Sequence, residues 1–201
     1  FDDSEYITRN PLVTQPGWSS VRCFFGEILK PSSVRGYYHP LTMTSLMLDA
    51  AMGGRSDDLR AFHRTNLALH MLSAVLIVLI LHRLLGGLVP AALAGLAFGL
   101  HPLTVEPVAW IAERKTLLAT SLALSCVLCY LEYCRRNARA WLYAALALDA
   151  LALLAKPTVI MLPIMLLILD YWPLKRLHAR TVAEKWPFLL FSLLFGAITF
   201  V

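Results

Sequence analysis

Charge is what this sequence has little of. Asp, Glu, Lys and Arg make up 15% of its 201 residues, against roughly 25% in soluble domains, while 58% are hydrophobic and the mean hydropathy is +0.64. A water-soluble core is therefore disfavoured. The formal charge is +5, but the basic residues are scattered between apolar runs and form no contiguous polybasic face, which excludes nucleic acid as a partner. The apolar runs also lack the two-residue alternation of a membrane barrel, and there is no internal repeat or low-complexity tract. Phe1 to Asn10 has neither a basic start nor an apolar core, so no signal peptide is visible. Cysteine is sparse: Cys23 lies in a polar segment and Cys126, Cys129 and Cys134 lie in or beside one apolar run, where Cys126-x-x-Cys129 reads as a pair of small hydrophobes. The chain opens at Phe1 rather than Met and stops at Val201 inside an apolar run. Both ends are expected to be cuts through a longer protein.

What is present is a series of about six long apolar stretches. Residues 65–82 contain no Asp, Glu, Lys or Arg and are long enough to cross a bilayer as a helix. Leu84 to Val105 is a second stretch, with Pro90 and the pair Gly95-x-x-x-Gly99, which lets helices approach closely in lipid. Thr116 to Leu131 and Ala140 to Ala155 follow, the latter interrupted by Asp149. Pro157 to Leu169, extended by Tyr171 and Trp172, and Trp186 to Val201 complete the set. The pattern predicts an all-α, polytopic integral membrane helical bundle. Residues 1–62 are expected to form a first loop with a juxtamembrane helix over Pro40 to Met52, and residues 63–201 the transmembrane domain. Leu12 to Ser20, with Pro16 and Gly17, reads as loop.

Basic residues in short loops orient such a chain. With the first span running inward, Arg83, Arg135, Arg136, Arg139, Lys175, Arg176, Arg180 and Lys185 lie inside, and only Arg114, Lys115 and Lys156 outside. That bias places the amino terminus outside the cytoplasm.

Several polar groups stand out against this background. Asp2 and Asp3 are adjacent carboxylates, a pairing suited to general-base work and equally to a turn or helix cap. Glu106, Glu113, Arg114 and Lys115 fall in the outer connection between the second and third spans, and Val105 to Lys115 is expected to be one surface helix. Its cations at headgroup height suit the phosphate of a lipid-linked substrate, or simply anionic lipid. Lys156 stands at the outer end of the fourth span. Asp149, seven residues earlier on nearly the same face, is expected to compensate it. His63, Asn66 and His70 share one helix face by spacing, which suits helix packing better than metal ligation. His39 and His101 each precede Pro and can hold loop backbone.

The segments Phe1 to Pro11, His39 to Thr42, FHRTNLALH over Phe62 to His70, HPLTVEPVAWIAERK over His101 to Lys115, and Ala155 to Pro157 resemble the transmembrane and tetratricopeptide-repeat proteins. These are protein O-mannosyltransferase-like members of the C-type glycosyltransferase superfamily. The Glu-Arg-Lys ending is more similar to the bacterial members. The resemblance implies a helix ahead of Phe1 and a repeat solenoid after Val201. It also implies transfer of a mannose-like sugar from a polyprenyl-phosphate donor to a hydroxyl, on Ser or Thr of a protein acceptor, at the exterior of a bacterial inner membrane. On the same basis Asp2 is the expected base and Asp3 its positioning partner. Arg114, Lys115 and Lys156 are expected to bind the donor phosphate, and His39, His63, Asn66, His101, Glu106 and Glu113 to support the substrates. One base and one cation suffice for a single displacement, so no cofactor is firmly implied and a divalent metal is compatible but not predicted. A membrane transporter or flippase, or a non-catalytic anchor for a repeat scaffold, is the alternative.

Overall fold

A computed structural model describes residues 3–26, 38–55 and 57–200; the expected base Asp2 lies outside the described residues. The polar amino-terminal region carries a π-helical turn at Ser4–Thr8 and three helices: α1 (Pro11–Thr14), α2 (Trp18–Gly26) and α3 (Pro40–Ala51). The expectation of loop over Leu12 to Ser20 is corrected. Asn10 caps α1 by accepting from the Leu12 N–H at 3.0 Å, with Pro11 at the first helical position, where its missing N–H costs nothing. Pro16 and Gly17 mark only the break before α2.

The apolar runs all lie on helices: α4 (Arg60–Leu85), α5 (Leu88–Gly99), α6 (Val105–Ala109), α7 (Arg114–Arg136), α8 (Arg139–Ala155), α9 (Leu162–Tyr171), α10 (Ala179–Ala183) and α11 (Trp186–Phe200). Among the described residues no strand forms. Three helical stretches are long and apolar enough to cross a membrane: Arg60–Leu85, Ile111–Arg136 and Ala179–Ile198. Leu88–Gly99 and Pro102–Ala109, bent by 55°, make a fourth if taken as one broken span. The molecule is an all-α membrane bundle. At 26 residues, α4 is about 39 Å long, more than a hydrocarbon core of roughly 30 Å. It stops at Gly86, whose φ of 74° is left-handed and whose N–H returns to the His82 carbonyl. The fifth run is shorter than a span, because Pro157 and Pro163 divide it into a 3-10 turn at Pro157–Met161 and α9. Leu67, Met71, Val75, Leu79, Leu93 and Leu96 are exposed along α4 and α5. Such a face suits lipid or a neighbouring membrane helix rather than water.

α4 and α7 start at the same end of the bundle and α8 returns to it, so the polar residues collect at two ends. Around α3 a small core of Tyr6, Ile7, Val13, Met43, Leu46, Phe62 and Ile111 anchors the amino-terminal region. Thr42 on α3 donates to the Ala155 carbonyl at the end of α8, at 3.0 Å. A second core, with Ile80, Cys126, Tyr130, Ala145, Leu166 and Phe188, fills the bundle.

Close helix approach depends on one glycine of the expected pair. A Cβ at Gly95 would lie 2.3 Å from Val78 Cγ2 and 3.2 Å from the Ala74 carbonyl, whereas one at Gly99 would make ordinary contact with Ala74 at 3.6 Å. Gly95→Val is therefore expected to cost about 1–3 kcal/mol by overpacking α4 against α5, and Gly99→Ala to change little. Thermal unfolding in detergent checks both.

Candidate active site

The first connection between spans is organised by a buried guanidinium. The expected single helix over Val105 to Lys115 is broken: α6 ends at Ala109, a 3-10 turn covers Ile111–Glu113, and α7 begins at Arg114. The break turns Arg114 inward, where it is fully buried. Its Nη2 donates to Asp49 Oδ2 at 2.6 Å and to the Phe62 carbonyl at 2.8 Å, and Nη1 donates to Ser45 Oγ at 2.9 Å. Nε donates to Asn66 Oδ1. Asp49 accepts a further bond from Thr65 Oγ1 at 2.8 Å, and the Asn66 amide faces the carbonyls of Pro107, Val108 and Trp110 at 3.3–3.4 Å. Arg114 thus ties α3, α4 and the α6–α7 connection into one unit. Four of its five N–H donors go to protein oxygens, so Arg114 is not presented at the surface as the expected phosphate-binding role requires.

Its neighbours face the other way. Glu113 lies between two ammonium groups, 3.3 Å from Lys115 Nζ and 3.8 Å from Lys156 Nζ. Thr116 Oγ1 donates to Glu113 and accepts from Lys156 Nζ at 2.8 Å. Lys115 also sits over the Tyr6 ring, 5.4 Å from its centroid, and Tyr6 stacks on His39 at 5.7 Å. Asp3 reaches the same connection: its Oδ1 accepts the Ala112 N–H at 2.7 Å. One carboxylate of the acidic pair is thereby fixed one residue from Glu113.

Lys156 heads a cavity of about 280 Å³. One wall is a face of α7 at helical spacing, Thr116, Ala119, Thr120, Ala123, Leu124 and Val127; the other is Thr158, Val159, Met161, Leu162 and Met165. The α7 wall runs about 16 Å along the helix axis. Threonines and an ammonium stand at one end and aliphatic side chains fill the rest.

The remaining expected residues are dispersed. His39 is buried beside Tyr6, and Asn66 belongs to the Arg114 cluster. His63 is exposed in the first turn of α4, whereas Phe62, Asn66, His70 and Ser73 are buried, and His70 meets the Gly99 carbonyl at 3.0 Å. His101 caps the turn after α5 through the Leu103 N–H at 3.2 Å, and Glu106 is exposed. Asp149 is buried with no hydrogen-bond partner for either oxygen among the described residues, so the expected compensation by Lys156 does not form. Among the described residues no three His, Cys, Asp or Glu side chains are grouped to hold a metal ion. Sequence reasoning missed Asp49, Ser45, Thr116 and Tyr6. Asp49 carried a signal, as an acid on a helix whose other large side chains are apolar.

Residues 45–201 match the family described as dolichyl-phosphate-mannose-protein mannosyltransferase. The chain belongs to that family. It is 32% identical over 147 residues to mouse protein O-mannosyl-transferase TMTC2, covering 70% of this chain and 17% of that protein. To the Drosophila melanogaster Tmtc2 protein it is 32% identical over 169 residues, 80% of this chain and 18% of the relative. Human TMTC4 is 30% identical over 182 residues, 78% of this chain and 24% of the relative. The chain thus spans about a fifth of the length of these relatives. No solved structure matches it.

Proposed function

We propose that this chain carries the donor site of a membrane mannosyltransferase, which moves a mannose-like sugar from polyprenyl phosphate to a hydroxyl of a Ser or Thr on protein, outside the cytoplasm. The observation that carries the reading is the Lys156-headed apolar slot beside an anchored acidic segment. An isoprenoid chain suits the aliphatic walls. Its phosphate suits the mouth, where two ammonium groups face one carboxylate.

In the reaction the acceptor oxygen attacks the anomeric carbon while the bond from that carbon to the phosphate oxygen breaks. The hydroxyl proton passes to a carboxylate, for which Asp2 is the choice, and polyprenyl phosphate leaves. Lys156 and Lys115 stabilise the charge that grows on the leaving phosphate. Asp3 is held by the Ala112 N–H, and Glu113 keeps the two ammonium groups apart and aimed. Arg114 supports this arrangement from behind rather than by touching phosphate.

Lys156→Gln in the full-length protein is expected to lower transfer from a labelled polyprenyl-phosphate mannose about a hundredfold while leaving thermal unfolding nearly unchanged. Transfer at the wild-type rate would remove the donor site from this slot. A transport reading would instead rest on the unpartnered Asp149, and in it Asp149→Asn would be more damaging than Lys156→Gln.

A further inference from the structure

The opposite end of the bundle from Lys156 holds a second cavity, which begins at Leu131, one turn of α7 beyond the Val127 end of the slot. Glu132, near the end of α7 and almost fully buried, accepts three guanidiniums: Arg83 Nη1 at 3.1 Å on Oε1, and Arg135 Nη2 at 2.8 Å and Arg136 Nε at 2.7 Å on Oε2. One carboxylate cannot neutralise three cations, so two positive charges remain in excess there. The arginine side chains are still 38–54% exposed, and each guanidinium carries more N–H donors than it spends on Glu132. Beside this fan lies a cavity of about 410 Å³, lined by Arg83, Arg135 and Arg176, by Glu132 itself, and by Leu84, Leu131, Leu174 and Cys134. Arg176 adds little to the excess, because Asp170 and Glu184 already face it at 3.5 and 2.8 Å.

We propose that this cavity binds the phosphodiester headgroup of an anionic phospholipid. Charge complementarity selects an anion, and Glu132 pre-arranges the guanidiniums so that little ordering is left to occur on binding. Placement selects a lipid over free phosphate. The cavity lies where α4 and α7, two of the membrane-spanning helices, end, and Leu85, next in sequence to its lining residue Leu84, is 58% exposed. A headgroup at the arginines would leave its glycerol and acyl chains against that apolar surface. Excess cations at the membrane ends of helices are a recognised basis for such contacts. Here the fan is held by a buried carboxylate and opens on a cavity, which a diffuse positive face would not provide.

The test uses full-length protein in neutral detergent, titrated by calorimetry with dioctanoyl-phosphatidylglycerol, dioctanoyl-phosphatidylcholine and inorganic phosphate. Phosphatidylglycerol is expected to bind saturably and about tenfold more tightly than either of the others. The double variant Arg83→Gln, Arg135→Gln is expected to abolish that preference. Arg139→Gln, which changes an exposed cation outside the cavity, and Lys156→Gln are each expected to preserve it, so the outcome is independent of the donor site. Equal binding of the two lipids, competition by inorganic phosphate at the lipid's own concentration, or an equal loss in Arg139→Gln would overturn the proposal. The wild-type comparison stands even if the double variant fails to fold.

Discussion

Asp2→Asn is expected to lower sugar transfer by about 10²–10⁴-fold in the full-length protein, with donor binding little changed. The carboxylate is assigned to accept the hydroxyl proton as the anomeric carbon is attacked, and an amide cannot take that proton. The described neighbour bears on the site: Asp3 Oδ1 accepts the Ala112 N–H at 2.7 Å, in the connection that also carries Glu113 and Lys115. Asp3→Asn should be milder, since an amide oxygen still accepts from that N–H, and Asp3→Ala more severe. Measured rates that fall equally for Asp3→Asn and Asp2→Asn would contradict this division of labour.

Arg114→Ala is expected to act on stability first. Removing the guanidinium leaves Asp49 buried and unpaired and strips Asn66, Ser45 and the Phe62 carbonyl of their donor. Breaking a buried pair in this way costs about 3–5 kcal/mol. Arg114→Lys recovers only part of it, because an ammonium cannot present the planar fork that reaches α3 and α4 at once. Asp49→Ala should be comparably destabilising, and the double variant should lose much less than the sum. Thermal unfolding in detergent reads this directly. A variant that kept wild-type stability but lost transfer would instead place Arg114 at the donor.

The contrast between Arg114 and Lys115 shows where the sequence was legible. Long charge-free runs are dictated by the bilayer, so the helices over 65–82 and 116–131 could be read directly, as could the gathering of Lys115 and Lys156 at one end. The fate of Arg114 could not be read, because its partners Asp49 and Asn66 are 65 and 48 residues away and only tertiary packing brings them together. The break at Trp110 that turns Arg114 inward also lacks a local signal, since Val105 to Lys115 is compatible with a continuous helix. His63 was misplaced for a simpler reason. Its spacing puts it at nearly the same angle as the buried His70, seven residues on, but it lies in the first turn of α4 and stays exposed there. Asp149 and Lys156 failed to pair because Lys156, at the helix end, found Thr116 and Glu113 closer to water.

The central claim is that a polyprenyl phosphate lies in the slot between α7 and the Pro157–Met165 segment with its phosphate at Lys156. Photo-crosslinking of the full-length protein with a benzophenone-bearing polyprenyl phosphate, followed by peptide mapping, tests it most directly. Label on residues 116–127 and 158–165, displaced by unlabelled polyprenyl phosphate and lost in Lys156→Gln, is the predicted result. Displaceable label confined to the lipid-facing side of α4 and α5, or to the arginine end of the bundle, would contradict it.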